Sequence, residues 1–124
     1  MAKIQTKLVK NLTKDERLAC GRLNMRSNGE MMYALQEQPE GRVWMIWEDG
    51  RLNAWALAFS QKRHRIVHTY VRYSERRRGL GTRLMRAVNR REAEVKACPH
   101  DFASSCFYGK FEMPAAYGYH YSMN

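Results

Sequence analysis

Val71-Arg72-Tyr73-Ser74-Glu75-Arg76-Arg77-Arg78-Gly79-Leu80-Gly81-Thr82 is the stretch on which the reading of the whole chain turns. Ahead of it, residues 66–71 form an apolar, β-branched run that suits a strand. Behind it, Leu80, Leu84, Val88 and Val95 fall on one helical face, with Arg83, Arg86 and Arg90 on the other, so a helix is expected from Leu80 until Pro99 stops it. The segment between is a strand-to-helix turn that carries two glycines. Such a turn leaves the N–H groups of the first helical turn unpaired, at the positive end of the helix dipole, and that combination binds phosphate. Glycine lets an anion come close to the backbone because no Cβ stands in the way.

The charge distribution points to the same place. The 124 residues carry a formal net charge of +10. Residues 61–96 hold ten Arg and two Lys against three Glu, a balance of +9, and the rest of the chain contributes only +1. This concentration predicts an anionic partner around the glycine turn: a phosphorylated cofactor, nucleic acid, or both. A basic face kept for solubility is the plain alternative.

The length suits one domain over residues 1–124 with a single modest core. No apolar run approaches the ~20 residues that span a bilayer, so no membrane partner is expected. Residues 1–10 alternate Lys with apolar residues and lack the apolar core of a secretory signal. Cys20, Cys98 and Cys106 are odd in number and lack metal-ligand spacing. They read as reduced thiols of a cytoplasmic protein, with no metal site. His100 and Cys106 together are two ligands short of one.

Other elements follow from local signals. Residues 4–9 suit a short strand. Thr13 with Glu16 reads as a capping box that opens a helix burying Leu18, Leu23 and Met25, ended by Asn28-Gly29. Residues 30–38 suit a second helix with Met31, Met32 and Leu35 inward. Residues 43–47 and 52–59 flank Asp49-Gly50, a type I′ hairpin signal. Ala54, Ala56 and Ala58 leave one face of the second strand lightly filled, fit for close approach by a helix or a ligand. A short strand at 101–106 and a final one at Tyr117, Tyr119 and Tyr121 complete the reading.

Arg76-Arg77-Arg78-Gly79-Leu80-Gly81 resembles the acetyl-CoA pyrophosphate loop of the GNAT superfamily of N-acetyltransferases, Arg/Gln-x-x-Gly-x-Gly/Ala. The order of elements resembles that family over most of the chain, the motif itself over residues 71–86. The resemblance implies an α/β (α+β) fold: a mixed, mainly antiparallel, splayed sheet flanked by helices. It implies acetyl-CoA as co-substrate, with the backbone of Arg77, Arg78, Gly79, Leu80, Gly81 and Thr82 around the pyrophosphate. Arg76, Arg77, Arg78 and Arg83 would add charge, and Val71 would pair its backbone with the pantetheine arm. Gly81→Asp is expected to abolish CoA binding and to leave the fold intact. Ser105-Cys106-Phe107-Tyr108-Gly109-Lys110 resembles the family's segment in which a tyrosine protonates the departing thiolate, which makes Tyr108 the candidate acid. The chain departs from the family at Tyr73, where proline is common. It also ends early enough that the final strand is expected to be missing and a partner subunit of a homodimer to cover the exposed edge.

Direct transfer needs a base or a water chain to take a proton from the amine. His68 shares one strand face with Tyr70 and has a side chain of suitable type. Packing within the strand is its plain alternative. Glu48, Asp49 and Glu75 are further candidates. A cysteine nucleophile at Cys106 is disfavoured, because the family avoids covalent intermediates. The acceptor classes consistent with the basic face are a nucleic-acid-associated amine and an acidic protein, and Trp44, Trp47 and Trp55 offer either stacking surfaces or core. The competing reading is a noncatalytic module that binds nucleic acid or a protein through its Arg-rich face.

Overall fold

Five strands form one open sheet in the order β1-β2-β3-β4-β5, in a computed structural model that describes residues 3–23, 29–61, 63–92, 94–97 and 107–111. The strands are β1 (Ile4–Leu8), β2 (Arg42–Glu48), β3 (Arg51–Gln61), β4 (His64–Val71) and β5 (Val95–Ala97). The helices are α1 (Lys14–Leu23), α2 (Gly29–Glu37) and α3 (Leu80–Arg91). The first four strands pair antiparallel, and β5 joins β4 in parallel. This is the mixed, mainly antiparallel sheet that the resemblance implies.

The capping box at the start of α1 is formed. Thr13 N–H donates to Glu16 Oε1 at 2.8 Å, and Glu16 N–H donates to Thr13 Oγ1 at 3.1 Å. Asp49 and Gly50 take φ of 50° and 75°, the left-handed pair that a type I′ turn requires. Leu18 is a correction. It is 45 % exposed while Cys20 and Leu23 are buried, because two residues along a helix turn a side chain through about 200°. Gly29 opens α2 and does not close α1.

The region after α3 is the larger correction. The helix stops at Arg91, well before Pro99, and Val95 belongs to β5. The expected strands at 101–106 and 117–121, like Met25, Cys98, His100, Cys106 and the chain end, lie outside the described residues. So do the side chains of Met31 and Met32.

Alternation along β3 divides the core into two layers. Leu57, Trp55 and Phe59 pack with Val43, Met45 and Ile66 under α1 and α2. Ala54, Ala56 and Ala58 pack with Trp44, Ile46 and Val67 against Leu80, Leu84, Met85 and Val88 of α3. The small residues of β3 therefore seat a helix. Trp44 and Trp55 are 2 % and 0 % exposed, so they are core and offer no stacking surface.

Candidate functional site

The strand-to-helix turn is built from backbone bonds that end one by one. Arg72 N–H donates to Asn53 O at 2.7 Å, closing the β4 ladder. Tyr73–Glu75 form a single 3-10 turn, in which Glu75 N–H reaches Arg72 O at 2.8 Å and Arg76 N–H reaches Tyr73 O at 3.3 Å. Arg77 and Gly79 then take left-handed φ of 71° and 78°. Glycine adopts that geometry freely, whereas for Arg77 it costs on the order of 1 kcal/mol. Gly79 is the N-cap of α3 and offers no side-chain cap, and the first turn holds no acidic residue. The first helical bond runs from Arg83 N–H to Gly79 O at 3.0 Å. Helix geometry thus leaves the N–H groups of Leu80, Gly81 and Thr82 without intrahelical partners, at the positive end of the dipole.

Carboxylates from two other elements hold this turn. Arg78 grips Glu48 in a fork, with both N–O distances 2.8 Å, and also donates to Glu75 Oε2 at 2.7 Å. Glu75 Oε1 pairs with Arg51 at 2.8 Å. Asn53 donates to Glu48 at 2.8 Å and accepts from Arg51 at 3.1 Å. The β2–β3 hairpin is therefore tied to the glycine turn. The Arg78 guanidinium, followed by the Asn53 amide, pushes the Glu48 carboxyl down to about 2, and Glu48 in turn raises Arg78. Glu48 and Glu75 are thus committed to ion pairs, a poor state for a general base.

The three expected phosphate arginines differ in what their side chains do. Arg78 is held by the carboxylates. Arg76 lies over Tyr73 at 5.2 Å and Tyr70 at 6.0 Å, and its Nε donates to Val71 O at 3.2 Å. Arg77 is exposed and has no ion pair among the described residues.

Among the described residues, β5 pairs with the outer edge of β4 at Arg65, Ile66 and Val67. Arg72 N–H points toward β3, so by alternation the N–H and C=O groups of Val71, Thr69 and Val67 point the other way. Beyond Ala97 no described strand meets Thr69 or Val71 on that side. It is the backbone of Thr69, and not its side chain, that points to this outer side. Its hydroxyl contacts the sulfur of Met85 at 3.1 Å on the α3 face.

His68 and Tyr108 lie on opposite faces of the sheet. His68 is 2 % exposed and stacks on Phe59, with ring centroids 5.8 Å apart, on the α1/α2 face. Tyr70 shares that face and is half-buried. Tyr108 is 3 % exposed in the α3-side layer, in a helical turn at 107–109. Its neighbour Phe107 seats that turn: a Cβ built on Gly81 would stand 3.1 Å from the Phe107 ring and 3.5 Å from Val71 Cγ2. Phe107 is a contact that the sequence did not signal.

A family model described as acetyltransferase (GNAT) family matches residues 9–103. The fold is similar to that of Escherichia coli ElaA, with a TM-score of 0.70 and 16 % identity, covering 90 % of this chain and 86 % of that one. It is similar to an acyl-CoA N-acyltransferase from Pseudomonas aeruginosa, at 0.68 and 21 %, covering 90 % and 88 %. It is also similar to a ribosomal-protein-alanine N-acetyltransferase from Brucella melitensis biovar Abortus 2308, at 0.61 and 14 %, covering 100 % and 99 %. At these identities the structural likeness speaks for the fold alone. No curated protein matches the sequence.

Proposed function

The chain belongs to the GNAT acetyltransferase family, and from that premise we propose that it transfers an acetyl group from acetyl-CoA directly to an amine. One observation carries the reading: the outer edge of β4, which meets no described strand beyond Val67, runs straight into the N-terminus of α3, which has no side-chain cap. A thioester cofactor needs both. Its pyrophosphate takes the N–H groups of Arg77 to Thr82, and its amide-bearing pantetheine arm pairs with the open edge at Thr69 and Val71 as an added strand would.

The chemistry assigned to this chain's residues is simple. The amine nitrogen attacks the thioester carbonyl, and an N–H on the open edge of β4 holds the developing oxyanion. The C–S bond then breaks, and the thiolate takes a proton from the Tyr108 hydroxyl. The amine proton leaves through His68 or through water. The acceptor classes are a nucleic-acid-associated amine and a protein amine.

Titration calorimetry with acetyl-CoA, followed by measurement of free thiol release with aminoacylated tRNA and with peptide amines, tests the proposal. Saturable binding and amine-dependent thiol release are expected. Absence of binding overturns the cofactor assignment, and binding without thiol release for any amine overturns the catalytic one. Tyr108→Phe is expected to lower turnover while leaving cofactor affinity in place.

A further inference from the structure

A second basic surface lies on the flank of α3 away from the open edge of β4. Lys3, Ile4, Arg83, Arg86 and Arg90 line an open groove of about 470 Å³. Ile4 pairs with Ile46 and packs on the α3 face, so the groove runs between α3 and the β1 edge. Strands sit about 4.8 Å apart, so β1 lies roughly 14 Å from β4, across the sheet from the cofactor edge.

Several basic side chains elsewhere on the molecule are neutralised locally. Arg51, Arg65, Arg78, Lys7 and Lys10 each meet a carboxylate. Glu92, just past the end of α3, pairs with Arg65 and not with an arginine of the groove. Among the described residues, the groove lining contains four cations and no acid. Arg86 and Arg90 are exposed and make no hydrogen bond or ion pair among the described residues. Arg86 and Arg90 lie on successive turns and repel one another, which disfavours α3 until an anion lies along them.

We infer that this groove is a docking site for the phosphodiester backbone of a nucleic-acid strand. Arg83, Arg86 and Arg90 are spaced by about 4.5 and 6 Å along the helix axis, a linear array that suits a linear polyanion better than one compact phosphate. Guanidinium forks match phosphate oxygens bidentately. A protein partner would need an apolar or aromatic anchor, and the described lining offers only the half-buried Ile4. The described lining has no aromatic side chain to stack a base, so the strand is read through its backbone and without sequence preference. This site does not depend on the acyl-transfer reading.

Fluorescence anisotropy of labelled oligodeoxythymidylate and oligouridylate, measured over a salt series on the full chain, tests it. Three to four contacts at about 0.7 each give a slope of log K against log salt of about −2 to −3. Both oligonucleotides are expected to bind alike. The double variant Arg86→Gln/Arg90→Gln is expected to make the slope shallower by about 1.4, while acetyl-CoA affinity and thermal midpoint stay at or above the parent's. Arg86→Lys/Arg90→Lys keeps the slope and loses affinity, which separates charge from folding. An unchanged slope in the glutamine variant overturns the inference. Competition by polyglutamate as strong, charge for charge, as by oligonucleotide also overturns it, in favour of an acidic protein.

Discussion

The two carboxylate oxygens of Glu48 each accept a 2.8 Å hydrogen bond from a different nitrogen of Arg78, fastening the β2–β3 hairpin to the glycine turn. The Glu48 carboxyl is pushed down from an ordinary 4.5 to about 2, chiefly by Arg78 and then by Asn53. A depressed carboxyl contributes stability above its unfolded value and loses it as pH falls through the folded one. The contribution is therefore complete above about pH 4.5 and fades toward pH 2. Carboxyl NMR titration is expected to show Glu48 ionised well below the ordinary range and to return toward it in Arg78→Ala. The stability difference between parent and variant should shrink as pH drops across that window. An ordinary midpoint for Glu48 in the parent contradicts the clamp.

Gly81 and Phe107 form the second tie on the turn. A methyl group at Gly81 would meet the Phe107 ring at 3.1 Å. Overpacking costs about 1–3 kcal/mol, against about 1 kcal/mol gained from alanine's helix propensity. Gly81→Ala is therefore expected to destabilise the parent by on the order of 1 kcal/mol, yet to stabilise a Phe107→Ala background. A denaturant double-mutant cycle checks this. The contact also corrects the expectation that Gly81→Asp leaves the fold intact, since its carboxylate would enter against the Phe107 ring and Val71.

Cys20 is fully buried, and burial, with the Glu16 charge beyond it, pushes its thiol up to about 12. The nucleophile is the thiolate, so Cys20 should resist alkylation at neutral pH until denaturant is added. Peptide mass spectrometry after iodoacetamide treatment reads this directly. Rapid labelling of the native protein would contradict the packing described for α1.

The capping box predicts a local cost. Thr13→Ala removes the hydroxyl that accepts from Glu16 N–H at 3.1 Å. A loss of about 1 kcal/mol in denaturant stability is expected. No change would mean that Glu16, which also pairs with Lys7 at 2.9 Å, anchors α1 alone.

Legibility from sequence followed the range of the interactions. The Asp49-Gly50 hairpin, the Thr13–Glu16 cap and the Gly79 turn depend on a few neighbouring residues, and each was readable. Val95 was misread because it continues the apolar phase of α3, and only the parallel edge of β4 makes it a strand. Glu48 and Arg78 are 30 residues apart, so nothing local marks Arg78 as clamped and unavailable for phosphate. Phe107 over Gly81 is similarly long-range. The glycine turn was visible in the sequence; the contacts that fix its shape were not.

The measurement that tests the central claim most directly is an amide NMR titration of the full chain with acetyl-CoA. The account expects the largest shifts at the N–H groups of Arg77 to Thr82, with a second set at Thr69 and Val71. It expects Lys3, Arg86 and Arg90 to stay still. Saturable binding that leaves residues 77–82 unmoved, or that moves the α3–β1 groove in their place, would contradict it.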